Sequence, residues 1–554
     1  MACTHVPIGQ PLPEAAGKHA LSVSLPTWSS HIGFKEDDRR VTDLMQTGYP
    51  RFWAHWDIRK LSKFLEDRYG KAGEKAHLLR SASAAQACCA FMSARNVSAR
   101  VVKCDLPTKA RPGADLHIVF YPEDGFGVAK EFWQHTGLGV TTRLTHYYMN
   151  LLLGDGCLAK IPGGAGTADL DNDDSRLTEA AIGAKLKIRR RIADLVQIDV
   201  ENVFLYPAGM HAIWSAHQLC MQVLGESKSV CFGFPYVDTL KVLEKWGPGC
   251  YFFPDGADKF IDELEELMVS LKNGKSSAVS PILAIFTELP SNPLLRSVNF
   301  PRLRQLADKY EIPIVVDETV GNFANVDMMS YADIVVSSLS KLFSGQADVM
   351  GGSLILNPTG KHYSALMNQL CATYEDMYFD EDVIVMERNS RDFVQRSSII
   401  DSNTDAVTAY LKSSDCAAVV KEVYYPKFQT RAHYDTCRRP NGGYGGLFSI
   451  LFASVAAAQG FFDALPCPKG PSFGTNFTLV CPYAIIAHYR ELDWAKSHGV
   501  PIELVRVWVG LEKFGDLMDA FRGAIKAAEE AHAHHAPGDM PQAIWRAASC
   551  SAGE

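Results

Sequence analysis

The chain has 554 residues, of which 47% are hydrophobic, and its formal net charge is −8. This length suffices for two or three domains with separate cores, and the acidic balance gives no basic surface for nucleic acid. No apolar run approaches the roughly 18 residues that span a membrane, and residues 1–20 lack the apolar core of a signal peptide. We therefore expect a cytoplasmic protein without nucleic-acid or membrane partners.

The 14 cysteines are scattered, and no CxxC pair occurs. In a chain of this length that pattern indicates reduced, mostly buried thiols instead of disulfides or a zinc site. His532, His534 and His535 resemble a metal-binding cluster, but their position before a Pro- and Gly-containing tail favours the solvated end of a helix. We predict no metal site.

Residues 1–58 contain several prolines and glycines and little helical periodicity, which indicates an extended arm. Residues 59–176 mix helical stretches, at 59–70 and 83–94, with strand-like ones at 100–106 and 116–122. This mixture predicts a small inserted α/β module. A Gly- and Asp-rich linker at 162–175 closes it, and no motif in the insertion indicates chemistry.

Residues 177–375 alternate strand-like and helical stretches, which is typical of βαβ units and a mainly parallel sheet. Gly209 and Met210 lie between a strand and a helix, where free N–H groups and the positive end of the helix dipole suit an anion. Tyr236 follows the next strand. Glu288 and Asn292 follow a later apolar run.

Three unbroken apolar runs, at 314–316, 334–336 and 353–356, are typical of strands buried on both faces. The first ends at Asp317, and Ser338, Ser340 and Lys341 follow the second. Open α/β sheets bind ligands at the carboxyl ends of their strands. An Asp can keep a pyridine nitrogen protonated, and a Lys can form a Schiff base with an aldehyde. An isolated Asp or Lys would favour a turn or the surface, but this ordered set favours pyridoxal phosphate (PLP).

Residues 376–535 predict a smaller C-terminal α/β domain, and residues 536–554 a disordered tail. The glycines in 442–446 resemble a phosphate-binding loop, but they precede a strand without the required helix, so we reject that interpretation. Ser472 and Gly474 lie in a loop at 470–479. Arg506 lies on a predicted strand, and its guanidinium suits a carboxylate.

Together these motifs resemble the Cys/Met-metabolism family of PLP enzymes, and within it the cystathionine γ-synthases in their long fungal form. The resemblance rests on ELPSNPLL (288–295), VVDET (315–319), SSLSK (337–341) and VRVWVGLE (505–512), with SVSLPTW and MQTGYPRF near the N-terminus. It implies a fold-type-I PLP-dependent transferase. Such a protein has a mainly parallel seven-stranded α/β sheet flanked by helices, a smaller C-terminal α/β domain, and here an N-terminal arm plus the inserted module.

The resemblance implies catalytic roles for Lys341, which binds PLP and moves the α-proton, for Asp317 at the ring nitrogen, and for Tyr236 stacked on the ring. Ala208 replaces a Ser that is common in the family, so one phosphate contact is missing. Thr475 and Phe477 replace a Gly and a Glu, so the substrate contacts of bacterial members do not transfer directly. The other implied cofactor ligands are Tyr49 and Arg51 from a neighbouring subunit's arm, Gly209, Met210, Asn292, Ser338 and Ser340, and the implied substrate ligands are Ser472 and Arg506.

The implied reaction is γ-replacement, in which O-acetyl- or O-succinylhomoserine reacts with cysteine to form cystathionine during transsulfuration and methionine biosynthesis. None of these residues identifies the nucleophile. Two enzymatic alternatives therefore stay open: a biosynthetic paralogue that joins the same vinylglycine intermediate to a carbon or nitrogen nucleophile, and a β- or γ-lyase. A non-catalytic scaffold that binds a partner through residues 59–160 agrees less well with the intact Asp317 and Lys341 pair. The resemblance also implies small amino-acid substrates and a homodimer or homotetramer with shared active sites.

Overall fold

The computed structural model describes residues 6–111, 113–154, 174–273 and 281–534. The predicted tail, His535 and all but the last two residues of the predicted linker lie outside these ranges. Within them, no helix is both long and apolar enough to cross a bilayer.

The strands of the described residues are β1 Pro11–Leu12, β2 Ser22–Val23, β3 Glu74–Leu79, β4 Arg100–Lys103, β5 His117–Pro122, β6 Val203–Tyr206, β7 Lys228–Phe232, β8 Cys250–Phe253, β9 Ile282–Glu288, β10 Ile314–Asp317, β11 Ile334–Ser337, β12 Gly352–Leu356, β13 Val420–Tyr424, β14 Leu447–Phe452, β15 Leu479–Pro482 and β16 Leu504–Trp508.

The α-helices are α1 Trp28–Lys35, α2 Arg39–Thr42, α3 Trp56–Tyr69, α4 Ala82–Ser93, α5 Phe126–Thr136, α6 Thr142–Leu153, α7 Asp174–Val196, α8 Gly209–Leu224, α9 Val237–Lys245, α10 Asp258–Asn273, α11 Phe300–Tyr310, α12 Asn322–Asn325, α13 Tyr363–Thr373, α14 Asp380–Asn389, α15 Phe393–Leu411, α16 Arg431–Cys437, α17 Val455–Ala464, α18 Tyr483–His488, α19 Leu492–Ser497 and α20 Phe514–His534.

The largest sheet has seven strands in the order β6-β12-β11-β10-β9-β7-β8. Only β12 runs against its neighbours β11 and β6, so the predicted mainly parallel sheet is confirmed. Along β10, Ile314 and Val316 enter one apolar cluster and Val315 enters another. Helices therefore cover both faces of this sheet, which is why its strands carry no alternating polar positions.

The C-terminal region contains a four-stranded antiparallel sheet in the order β13-β14-β16-β15. Helices α17 and α20 pack on it through fully buried Phe448, Phe461 and Phe521. The glycines of 442–446 lead directly into the strand β14. A phosphate-binding loop would lead into a helix, so this agrees with our rejection of that interpretation. This sheet and its helices form the predicted smaller α/β domain.

The insertion has a three-stranded antiparallel sheet in the order β3-β5-β4, and helices α3 and α6 share a core with it. The predicted helical and strand-like stretches of the insertion coincide with α3, α4, β4 and β5, whereas β3, α5 and α6 were not predicted. The arm differs from the extended segment that we predicted, because it contains the helix α1. Thr27 and Ser30 cap that helix through a reciprocal pair of hydrogen bonds, a signal that the prolines and glycines around it obscured.

Candidate active site

The carboxyl ends of β10 and β11 bring Asp317 and Lys341 to one edge of the sheet. Asp317 pairs in register with Val336, near the end of β11, and Lys341 follows β11 by four residues. The backbone N–H of Ser338 donates to Thr319 Oγ1 over 2.8 Å and ties the two strand ends together. The edge therefore holds both residues on which the PLP prediction depends.

The amine of Lys341 lies in a buried, largely aromatic environment. Its Nζ donates to Ser472 Oγ over 2.9 Å, and lies 4.5 Å from the ring centroid of Tyr49 and 5.0 Å from that of Phe473. Burial lowers the pKa of Lys341, and the nearby Tyr49 partly opposes that shift. A buried amine that sheds its proton readily suits a nucleophile and base.

Thr319 holds the carboxylate of Asp317 with two hydrogen bonds to the same oxygen. Its backbone N–H and its hydroxyl donate to Asp317 Oδ1 over 2.9 and 2.5 Å. Burial raises the pKa of Asp317, whereas these two bonds and the charge of Lys341 lower it. The bonds favour the ionised form that a protonated pyridine nitrogen needs.

Glu288 lies beside Asp317 in register on β9 and holds two predicted cofactor ligands. Its Oε1 accepts from the backbone N–H of Tyr236 over 2.5 Å, and its Oε2 from that of Asn292 over 3.3 Å. Burial, followed by the charge of Asp317, raises the pKa of Glu288 well above its usual value. Glu288 therefore acts on the site by fixing the backbone of Tyr236 and Asn292.

The start of α8 is where we predict the cradle for the phosphate of PLP. Ala208 is the N-cap of this helix and makes no side-chain cap hydrogen bond. The first N–H groups of the helix therefore point out of its N-terminal end. A Cβ at Gly209 would lie 2.7 Å from Cβ of Ser338, so only glycine allows this close approach. Gly209 and Ser338, two of the predicted phosphate ligands, therefore lie in direct contact, and Met210 follows Gly209 in the first turn of α8.

Ser340 differs from its predicted role as a phosphate donor. Its hydroxyl donates to the carbonyl of Gly351 over 3.3 Å and accepts from the N–H of Gly351 over 3.0 Å. Because a hydroxyl has one proton to donate, Ser340 supports the backbone behind Lys341 in this structure.

The arm was expected to reach a neighbouring subunit, but in this chain Tyr49 and Arg51 fold over the chain's own site. Arg51 is 3% exposed and donates to Asp238 Oδ2 over 2.6 Å and to the hydroxyl of Tyr236 over 2.7 Å. Its guanidinium also donates to the carbonyl of Gln134 over 2.6 Å. Protein groups occupy the donors that the resemblance assigns to a phosphate, and exchange of the arm between subunits stays a prediction.

Arg506 and Ser472 form the predicted substrate end of the site. Arg506 donates to Asn292 Oδ1 over 3.1 Å and to the carbonyl of Ser472 over 2.9 Å. Ser472 has a φ of 132°, which L residues rarely adopt, and such backbone strain is common at ligand sites. A Cβ at Gly474 would lie 2.6 Å from Cβ of Lys341, so this loop packs directly on the catalytic lysine.

Thr319 and Asp238 contribute to the site but were not predicted. Thr319 lies two residues after Asp317 within VVDET, so its spacing carried a signal for a turn that caps the carboxylate. No local sequence signal marked Asp238, because its ion pair with Arg51 joins residues that are 187 positions apart. Long-range polar pairs of this kind follow from the fold and have no local pattern.

The described residues provide what PLP requires: a buried amine, a buried carboxylate close enough to interact with it electrostatically, and a glycine at the N-terminus of a helix. Comparison with known proteins supports this fit. A family described as Cys/Met metabolism PLP-dependent enzymes matches residues 187–526, and one described as the N-terminal domain of fungal trans-sulfuration enzymes matches residues 57–141.

The chain belongs to the Cys/Met-metabolism family of PLP-dependent enzymes. A cystathionine γ-synthase-like enzyme of Amanita muscaria, iboG2, is 42% identical, with 95% of this chain and 97% of that relative covered. A cystathionine γ-synthase of Neurospora crassa is 36% identical, with 94% of this chain and 98% of the relative covered. The crystal structure of a cystathionine γ-synthase from Xanthomonas oryzae shares the fold, with a TM-score of 0.53 and 21% identity over 64% of this chain and 88% of that one.

The protein is therefore a PLP-dependent enzyme, and the non-catalytic scaffold is excluded. Among the residues that the structure places, no group of His, Cys, Asp or Glu side chains is arranged to hold a metal ion. PLP is the cofactor that this family uses, and Lys341, Asp317, Gly209 and Met210 are the residues that would hold it.

Proposed function

We propose that this enzyme catalyses γ-replacement on O-acetyl- or O-succinylhomoserine, with cysteine as the nucleophile and cystathionine as the product. The observation that supports it best is the position of Ser472 between Lys341 and Arg506. Its hydroxyl accepts from the lysine amine, and its carbonyl accepts from the guanidinium. An α-amino acid whose carboxylate binds Arg506 thus presents its α-carbon near the base.

Each protein group then has one task in the reaction. When bound, PLP supplies an electron sink for negative charge at the α-carbon. Lys341 removes the α-proton and later returns it, because burial lowers the pKa of its amine and so favours the neutral form. Arg506 binds the carboxylate with two parallel hydrogen bonds and fixes the orientation of the Cα–H bond.

The remaining steps occur on the substrate. A β-proton leaves, the γ-carboxylate departs, and the thiolate of cysteine adds to the γ-carbon before the two protons return. The Tyr236 hydroxyl, which accepts a hydrogen bond from Arg51, is the second group that we assign to proton transfer. The overall change is one C–O bond broken and one C–S bond formed.

Phe477 favours a second candidate with the same early steps but a carbon or nitrogen nucleophile. The family commonly has Glu at this position, and an aromatic ring offers no carboxylate to a polar nucleophile. The Amanita relative that carries the name cystathionine γ-synthase-like is also more similar to this chain than the Neurospora synthase is. This candidate differs in the nucleophile alone and leaves Lys341 and Arg506 in the same roles.

Product analysis separates these reactions. The purified enzyme with PLP would receive each activated homoserine with cysteine, with a panel of carbon and nitrogen nucleophiles, or alone, and products would be identified by mass spectrometry. We expect cystathionine with cysteine. A different adduct that outcompetes it supports the second candidate, and 2-oxobutanoate as the main product in every arm identifies a lyase.

We further propose a cytoplasmic homodimer or homotetramer. The arm folds over the active site through Tyr49 and Arg51, and an arm of this kind can complete the site of a neighbouring copy. Light scattering on the purified enzyme measures the assembly, and a fluorescent fusion in a fungal cell measures the location. A monomer, or an organellar signal, would contradict the corresponding proposal.

A further inference from the structure

Tyr483, a residue outside every predicted motif, lies against the guanidinium of Arg506. It is the first residue of α18 and directly follows β15, in which Cys481 pairs in register with Arg506. The guanidinium carbon lies 4.8 Å from the ring centroid of Tyr483. The ring therefore forms one wall of the predicted carboxylate pocket, with Phe473 at 5.2 Å from the same guanidinium carbon.

The hydroxyl of Tyr483 is buried and, among the residues that the structure describes, has no hydrogen-bond partner. The residue as a whole is 2% exposed. Buried polar groups in folded proteins nearly always have a partner, and each exception needs an explanation. A ligand that supplies the missing acceptor explains this one, because the hydroxyl belongs to the pocket wall.

The charged groups that act on Tyr483 belong to the region of the cofactor and substrate residues. Burial raises the pKa of Tyr483, Arg506 acts against this shift, and Glu288 and Asp238 add to it. The hydroxyl therefore keeps its proton in the pH range where the enzyme works, and it can only donate to an anion. Its apolar neighbours, Phe234 and Leu294, pack in the same cluster and offer no acceptor from their side chains.

We propose that Tyr483 binds the substrate by donating a hydrogen bond from its hydroxyl to the α-carboxylate held by Arg506. A carboxylate has about four lone-pair sites, and a bidentate guanidinium uses two of them. The tyrosine satisfies a third and fixes the plane of the carboxylate. This inference rests on the proposed function only in that the substrate is an α-amino acid.

The test compares two ligands that differ only in the carboxylate. L-norleucine and pentylamine, the same molecule without its carboxylate, have no leaving group and would be titrated into the PLP-loaded enzyme and into the Tyr483→Phe variant. Dissociation constants would come from the absorbance change of the bound cofactor. We expect Tyr483→Phe to weaken L-norleucine binding about tenfold or more and to leave pentylamine binding unchanged, because pentylamine offers no acceptor to the tyrosine hydroxyl. Equal losses for both ligands, or no loss for L-norleucine, would overturn the proposal.

Tyr425→Phe is a matched control, since its hydroxyl is buried away from the site and donates to the carbonyl of Gly445 over 3.1 Å. Removing that bond should lower the Tm of the cofactor-free protein without changing either dissociation constant. Tyr483→Phe should leave the Tm unchanged, because its hydroxyl has no partner to lose among the described residues. A drop in Tm as large as that of the control would show a structural role and refute the proposal. No nucleophile enters these titrations, so failure of γ-replacement does not affect them.

Discussion

Lys341 combines three properties at the residue scale: it is buried, it contacts aromatic rings, and it donates to Ser472. Desolvation favours its neutral form, while the surrounding groups keep its side chain in one position. A surface lysine is neither shifted toward its neutral form nor kept in one position. The chemistry of the enzyme therefore depends on the packing around a single amine.

The lowered pKa of Lys341 predicts how PLP incorporation depends on pH. Only the neutral amine attacks the aldehyde, so the rate of PLP uptake by the cofactor-free enzyme should rise with pH and level off below pH 10.5, the usual pKa of lysine. Stopped-flow absorbance across a pH series measures this rate. An Nα-acetyl-lysine amide control should level off near the usual value, and a coincident profile for the enzyme would contradict the assignment.

The two hydrogen bonds from Thr319 favour the ionised form of Asp317 and orient its carboxylate, which predicts the effect of removing the Thr319 hydroxyl. Thr319→Val deletes the donor to Asp317 Oδ1 and leaves the N–H of Ser338 without its acceptor. We expect PLP to bind about five- to thirtyfold more weakly, since the loss of such a bond costs roughly 1–2 kcal/mol. Equilibrium dialysis of PLP measures the change. Thr319→Ser restores the hydroxyl and should restore most of the affinity; failure to do so would assign the effect to packing.

The start of α8 is the element that we expect to bind the phosphate of PLP. Gly209→Ala places a Cβ 2.7 Å from that of Ser338 and forces the helix away from β11. We expect a loss of PLP affinity of at least tenfold, because the helix N-terminus then moves away from the phosphate. Gly183→Ala, on α7 with no atom within 4 Å of the added methyl, should keep its affinity and gain a little stability. Equal PLP affinity in both variants would exclude this element as the phosphate site.

Strands and site differ in how far local sequence determines them. The runs at 314–316 and 334–336 predict their strands because both faces of the sheet are covered and every position is apolar. The capped helix α1 in the arm was missed, since four residues carry its only clear signal. Asp238 and the new partner of Ser340 could not be predicted, because tertiary contacts alone bring those groups together.

The arm is the part of the whole molecule that connects distant regions at the active site. Arg51 joins the arm to the insertion through Gln134 and to the large sheet's α9 through Asp238. Residues 57–141 and 187–526 match two separate families, yet both contribute groups that contact Arg51. The inserted module therefore helps to hold the arm at the active site.

This arrangement predicts different effects for the two arginines of the site. Arg51→Ala removes the arm's anchor and leaves Asp238 buried without its partner, so it should weaken PLP retention about tenfold or more. Arg506→Ala should raise KM for the activated homoserine and leave PLP retention nearly unchanged, because Arg506 serves the substrate carboxylate. Gel filtration followed by the PLP content of each variant measures retention. Equal loss of PLP in both would contradict the assigned roles.

The central claim is that Lys341 is the residue that carries PLP, and it is tested by trapping the bound cofactor. Borohydride reduction of the PLP-loaded enzyme, proteolysis and mass spectrometry would locate the modified lysine. We predict a single phosphopyridoxyl group on Lys341, which disappears in Lys341→Ala. A stoichiometric label on any other lysine would contradict the account.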